Sequence, residues 1–268
     1  MKTKNKIFIA KVISKLLRIF IKKPIKVKRN SINWFLDLNE GIDLSIFLFG
    51  SSESDVFKLK KILNKDDKLT FIDIGANIGS VSLPLAKEFK NSKIFSIEPT
   101  DYAFYKLEKN VLLNKELKKR IIINQNFITN KKKPSKVWSS WNLEDKANKH
   151  KVHQGSLKII KKNSYISLEK FIILKNISKI DFIKLDVDGF ELEVLKSGKS
   201  LLRKHKPIIF FELAPYLYQE FGYSCEELIN FFRKFDYAFY DDNLRPIENI
   251  YDDIKQIKDG SSKNFFII

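Results

Sequence analysis

The chain has 268 residues, 44% of them hydrophobic and 23 of them Phe, enough for one large core plus a short appendage. Its one cysteine, Cys225, excludes an internal disulfide and points to a reducing, cytoplasmic compartment. The net charge of +18 brings nucleic acid and anionic membrane into view as partners, but only six of the 50 basic residues are Arg, the residue suited to bidentate phosphate recognition, so nucleic acid is the disfavoured one.

Residues 1–30 read as a basic amphipathic helix and linker. Between Ile7 and Ile21 the chain is mainly apolar, and Lys11, Lys15, Arg18 and Lys22 recur at helical spacing as one basic stripe. The segment is too short and too charged to span a bilayer, and it lacks the apolar centre and cleavage site of a signal peptide. Two expectations follow for residues 7–23: a helix lying on an anionic membrane surface, peripheral at the inner face, or a helix docked on the domain. Pro24 to Asn30 reads as a linker. Trp34–Leu38 and Ile42–Phe49 flank the turn signal Asn39-Glu-Gly41 and are expected to pair as a hairpin. Ser54 or Asp55 then caps a helix to about Leu63.

The catalytic core is expected over 67–268, within a domain of 31–268. Leu69 to Ile74 is a compact apolar run and reads as a buried strand, followed by Gly75 and a helix over Ser80–Phe89. Gly75 and Gly79 let ligand and backbone approach closely. Asp73 is an acid inside that apolar strand, which is expensive unless a donor or a cationic ligand meets it. Lys93 to Glu98 is a second buried strand ending in an acid, stopped by Pro99. Glu98 lies 19 residues after Gly79, where a parallel sheet holds the hydroxyls of a ribose. The spacing Asp-x-Gly-x-x-x-Gly has Asn77 and Ile78 where a dinucleotide site needs a third glycine, and its carboxylate is unsuited to a pyrophosphate. Both features fit a nucleoside carrying positive charge, such as S-adenosylmethionine.

A helix follows Thr100 or Asp101 to about Asn114, then a third strand over Arg120–Asn124. Asn126 and Phe127 come next, where an adenine ring rests in sheets of this type. Residues 125–164 are polar and lysine-rich, with Trp138 and Trp141 inside, and are read as either a lid or a patch on the core. His150 and His153 lie in this stretch at a spacing that does not by itself specify a metal. Ser167 caps a helix to Leu174. Ile180–Leu185 is a fourth strand with Asp186 at its end, and Gly189 opens a helix carrying Glu191 and Glu193. Lys206–Glu212 is a fifth strand, helices follow around Pro215–Phe221 and Cys225–Phe235, and Tyr237–Tyr240 with Asn264–Ile268 makes an antiparallel closing pair. Strands alternating with helices predict a doubly wound, mostly parallel seven-stranded Rossmann-like sheet, with ligands beyond the carboxyl ends of its strands.

Asp73-Ile-Gly-Ala-Asn-Ile-Gly79 resembles motif I of class I methyltransferases, and Glu98-Pro99 the acid closing their second strand. Ile180-Asp-Phe-Ile-Lys-Leu-Asp-Val-Asp-Gly-Phe-Glu191 resembles the hallmark of the FkbM-type methyltransferases. Lys184, Asp186, Gly189 and Glu191 match it as they stand, and Asp188 replaces a more usual Glu. The resemblance runs in outline from Ser54 to Ile268. It implies S-adenosylmethionine-dependent methyl transfer, commonly to a hydroxyl of a sugar, glycan or natural product, with Asp73, Gly75, Asn77, Gly79, Glu98 and Asn126 as cofactor-binding candidates. A hydroxyl acceptor gains from a general base or a metal. Asp186 is the first candidate base; Asp188 and Glu212 are the next, either assisting or holding a divalent cation, for which no ligand set is evident. Acids in a first helical turn also stabilise the macrodipole without chemistry, and Lys184 reads as a structural partner for a nearby acid. Two other readings stay open: an RNA methyltransferase, favoured by charge, and a catalytically silent nucleoside-binding scaffold. A short-chain NAD-dependent oxidoreductase is disfavoured. Tyr102-Ala-Phe-Tyr-Lys106 has the right spacing but follows the second strand too closely, and the three-glycine turn is missing.

Overall fold

The computed structural model describes residues 12–17, 19–21, 23–130, 136–139, 156–159, 165–258 and 260–268. A short helix, α1 (12–17), precedes a two-stranded antiparallel hairpin of β1 (Ile25–Arg29) and β2 (Ile32–Leu36), then α2 (Gly41–Phe49) and a 3-10 helix over Asp55–Lys61. The core runs β3 (Thr70–Ile74), α3 (Ser82–Glu88), β4 (Lys93–Ile97), α4 (Asp101–Leu112), α5 (Lys115–Lys118) and β5 (Ile121–Asn124). It continues with β6 (Phe127–Ile128), β7 (Lys136–Ser139), β8 (Ser156–Ile159), β9 (Tyr165–Ile166), α6 (Leu168–Leu174) and β10 (Phe182–Leu185). After these come α7 (Glu191–Lys196), α8 (Lys199–His205), β11 (Ile208–Leu213), α9 (Pro215–Tyr218), α10 (Cys225–Arg233), β12 (Phe239–Tyr240), α11 (Ile250–Gln256) and β13 (Lys263–Ile267).

Seven strands form one sheet in the order β12-β13-β11-β10-β3-β4-β5. Neighbours from β11 to β5 are parallel, and β13 runs antiparallel to both β11 and β12. The chain order therefore reverses between β3 and β10, the point where open α/β sheets bind ligands. The central strands are apolar on both faces because both are covered. Ile72, Phe95, Ile183 and Phe211 face one layer with α6, α7 and α10. Phe71, Ile94, Phe182 and Phe210 face the other, with the N-terminal hairpin, α3 and α4. Phe71 packs edge-on against Phe89 and Phe182, at ring-centroid distances of 5.0 and 5.7 Å.

The N-terminal part departs from the sequence reading. The expected pairing of Trp34–Leu38 with Ile42–Phe49 does not form; the hairpin here is made by Ile25–Arg29 and Ile32–Leu36, so the expected linker is itself a strand. Asn30 and Ser31 take φ of 47° and 61°, the left-handed pair of a tight two-residue hairpin turn. Ile42–Phe49 is helix α2 rather than a strand. Its first turn is held by Asp43, whose Oδ2 accepts the Asp37 N–H and pairs with Lys106 of α4, while Gly50 at φ 79° closes the other end. The decisive partner, Lys106, lies 63 residues away and leaves no trace in the local pattern. Within 125–164, β7 pairs with β8 in antiparallel register, and β6 pairs in parallel with β9, which lies just past this stretch. Trp138 sits on β7; Trp141, His150 and His153 lie outside the described residues.

Candidate functional site

The site is built on the bend after β3. Gly75 and Gly79 have φ of 80° and 88°, and Asn77 has φ of 49°. A Cβ at Gly75 would lie 1.9 Å from the Asp186 carbonyl oxygen, so β3 and β10 can run out side by side only because residue 75 has no side chain. The Gly75 and Ala76 N–H groups both donate to the Ile97 carbonyl, at 3.0 Å each. The Asn77 N–H donates to Glu98 Oε2 at 3.0 Å, and the Asn110 side chain of α4 donates to the Ile78 carbonyl at 2.9 Å. The bend is therefore tied to β4 and α4 throughout.

Glu98 lies just past β4. Its Oε1 accepts from the Thr100 N–H at 2.9 Å and the Thr100 hydroxyl at 2.6 Å. Burial raises its pKa, and the donors from Thr100 and Asn77 work against that rise. Oε1 thus accepts two hydrogen bonds and Oε2 one, so Oε2 keeps a lone pair for one ribose hydroxyl. Asn126 is half-buried just beyond β5, on the same edge of the sheet.

Asp73 is placed differently. It sits opposite Ser96 on β4 and opposite Lys184 on β10, so the three side chains form a row under α3. Asp73 Oδ2 accepts from Ser82 Oγ at 2.5 Å, and Ser82 Oγ lies 2.6 Å from Ser96 Oγ. Lys184 Nζ is 3.8 Å from Asp73 Oδ1, donates to the Gly75 carbonyl at 3.0 Å and to Asp186 Oδ2 at 3.1 Å. Of the two possibilities for Asp73, a donor or a cationic ligand, the structure supplies partners from within the protein: a serine donor and a lysine charge. Burial disfavours the Lys184 charge, and Asp186, Glu53 and Asp73 more than reverse this, so its pKa stands above the ordinary value. Lys184 is thus a structural partner that clamps the ends of β3 and β10 to the motif I bend.

Beyond Lys184 the edge is acidic. Asp186 and Asp188 are half-buried in the turn before α7, with Asp188 at φ 51°. Glu212, near the end of β11, accepts a short hydrogen bond from Ser262 Oγ, and burial, then Asp186, push its pKa up to about 8. Glu53 reaches the same place from the segment after α2. Burial raises it to about 7; Lys184 opposes the rise, while Asp186 and Asp73 add to it. No donor among the described residues hydrogen-bonds to Glu53. Sequence reasoning missed this residue, because an acid in the polar run Ser51-Ser-Glu-Ser-Asp55 looks like a solvated loop. Ser82 and Ser96 were missed too; a serine interrupting the apolar β4, as Asp73 interrupts β3, is the signal that would have found the row.

Glu191 has a different task. Its Oε1 accepts from the Val187 and Gly189 N–H groups at 3.2 and 3.3 Å, and Tyr223 donates to its Oε2 at 3.2 Å. Burial brings it to about 7. It braces the turn that carries Asp186 and Asp188. Phe190 of this turn packs on Phe221 and Phe127 at centroid distances of 4.4 and 5.0 Å, which gives the acidic edge an aromatic wall. Among the described residues no group of His, Cys, Asp or Glu is arranged to hold a metal ion.

A seven-stranded sheet of this order with an antiparallel strand next to its end, a glycine bend after the first central strand and an acid closing the second define the class I methyltransferase fold. The methyltransferase FkbM domain matches residues 73–239, more than half of the chain, and the protein belongs to that family. Solved structures are more distant. The FkbM methyltransferase of Methylobacillus flagellatus KT is 16% identical with a TM-score of 0.48, and the match covers 78% of this chain and 45% of that one. The chain thus spans less than half of that protein. M. jannaschii TYW2 in complex with AdoMet is 14% identical with a TM-score of 0.44, covering 91% of this chain and 84% of its own. The METTL16 methyltransferase domain is 13% identical with a TM-score of 0.48, covering 96% and 78%. No curated protein sequence matches the chain.

Proposed function

We propose that the protein transfers the methyl group of S-adenosylmethionine to a hydroxyl of a sugar, glycan or natural-product acceptor. The observation that carries this reading is the meeting of Glu53 and Glu212 with Asp186, itself paired with Lys184, at the point where the sheet reverses, beside the Gly75 bend. The residues fit the cofactor. Glu98 keeps acceptor capacity for one hydroxyl, and the edge is acidic, which suits a cationic nucleoside and repels a pyrophosphate. Gly75, Asn77, Gly79, Glu98 and Asn126 would hold it, and Asp73 would support the bend from below through Lys184. When bound, S-adenosylmethionine supplies a methyl carbon on a positively charged sulfur that is a ready leaving group.

The protein has two tasks here. It orients an acceptor oxygen, and it takes the proton that the oxygen loses. Glu212 and Glu53 are suited to the second task because burial brings them near neutral pH, where a base is both available and strong enough. Asp186, fixed by Lys184, is suited to orienting the acceptor; Asp188 stands next to it. Calorimetry with S-adenosylmethionine, S-adenosylhomocysteine and NAD tests the cofactor: binding of the first two and not of NAD supports the reading, and NAD alone binding ends it. Transfer of labelled methyl to a panel of glycans and RNAs tests the acceptor, with label on RNA only promoting an RNA methyltransferase in its place.

A further inference from the structure

The N-terminal helix leaves a surface that methyl transfer does not use. Helix α1 and the turn after it dock by one side only: Ser14 is buried and donates to the Leu38 carbonyl at 2.8 Å, and Leu17 and Ile21 pack on the core. The opposite side is apolar and bare. Val12, Leu16, Ile19 and Phe20 are 43%, 58%, 63% and 86% exposed, and they recur at the spacing of one helical face. Ordinary soluble surfaces scatter such residues singly; four together mark a contact.

Charge identifies the partner. The first 36 residues contain eleven Lys and Arg and no Asp or Glu, so they hold most of the excess positive charge of the whole chain. Lys15 and Lys23, close in sequence to the apolar residues, are exposed, and so are Lys26 and Lys28 of β1. Nine of the eleven are lysines, point charges that suit a diffuse anionic field rather than bidentate phosphate clamps. A second copy of this chain would bring the same positive charge against itself. A nucleic acid would satisfy the lysines and leave Ile19 and Phe20 bare. A bilayer with anionic headgroups satisfies both at once.

We infer that the exposed face of Val12, Leu16, Ile19 and Phe20, with the lysines around it, seats the protein on an anionic membrane surface, Leu16, Ile19 and Phe20 entering the headgroup boundary. No helix among the described residues is long and apolar enough to cross a membrane. This inference is independent of the methyl-transfer reading and survives its failure.

Co-sedimentation of the full chain with vesicles of phosphatidylcholine, alone or mixed with phosphatidylglycerol, tests it. Binding to the mixed vesicles about tenfold or more tighter than to neutral ones, weakening with salt, is the expected result, since each basic residue near such a surface contributes about fivefold. The combined substitution Leu16→Glu, Ile19→Glu, Phe20→Glu should abolish binding with the thermal midpoint unchanged. Should that variant misfold, Phe20→Trp serves instead: the fluorescence of its new indole should be quenched by brominated lipid in mixed vesicles. Equal binding to both vesicle types, no quenching in the Phe20→Trp variant, or a folded triple variant that still binds would overturn the inference. So would RNA competing the chain off the vesicles while binding the triple variant undiminished.

Discussion

At the scale of single residues, the arrangement turns on one buried cation. Lys184 holds Asp73, Asp186 and the Gly75 carbonyl, and no other group of the row carries positive charge. Lys184→Met should therefore destabilise the protein by about 3–5 kcal/mol, because Asp73 stays buried without its counter-charge. Adding Asp73→Asn should recover much of that loss, and urea titration of the single and double variants checks it; equal instability of both would argue against the pair. Glu98→Gln keeps an acceptor for Thr100 but removes the charge offered to a ribose. It should weaken S-adenosylmethionine binding about tenfold or more, since charge-assisted hydrogen bonds are the strong ones. Calorimetry reads this directly, and an unchanged affinity would remove Glu98 from the ribose site. Lys184 was readable as a structural partner from its position in an apolar strand; its grip on the Gly75 carbonyl was not, because that contact joins residues 109 apart.

At the scale of elements, the N-terminal segment is wired into the cofactor bend. The Asn110 side chain accepts the Phe35 N–H of β2 at 2.6 Å and donates to the Ile78 carbonyl at 2.9 Å. Asn114 exchanges hydrogen bonds with the backbone of Asn33, at 2.9 and 2.7 Å. The hairpin, α4 and the motif I bend thus form one unit. Asn110→Leu should cost about 2–4 kcal/mol, as two buried backbone groups lose their partners at about 1–3 kcal/mol each. It should also lower cofactor affinity by loosening the bend. Thermal melts and calorimetry on the same variant check both effects. The strands β3, β4, β10 and β11 were legible because a doubly covered strand needs an unbroken apolar run. Helix α2 was not, because its apolar content fits strand or helix equally and its buried Asp43 depends on Lys106.

At the scale of the whole molecule, pH links the acids to stability. Glu212 and Glu53 have pKa values raised by burial from the ordinary 4.5 to about 8 and about 7. Between 4.5 and 8 the folded protein holds more protons on these groups than the unfolded chain does. Their contribution to stability is present below the unfolded value and is lost as pH rises through 7 to 8. Glu212→Gln should flatten the fall of the thermal midpoint between about pH 5 and 9 relative to the native chain. An identical slope in both would show that Glu212 ionises normally. Methyl transfer should move in the opposite direction, rising with pH as the same groups become bases, and Glu212→Gln should remove part of that rise.

The sequence by itself determined the alternating sheet, the bend at Gly75–Gly79, the acid at Glu98 and the family. These are set by neighbours along the chain: apolar period, residues without a Cβ, and the end of a strand. Only the tertiary structure decided which acids share a site, that Glu53 joins them from outside the matched domain, that Asp73 faces α3, and that Phe20 stands bare. Those outcomes depend on groups brought together across tens to more than a hundred residues. Burial and the field of a single lysine, not local propensity, assign them their roles.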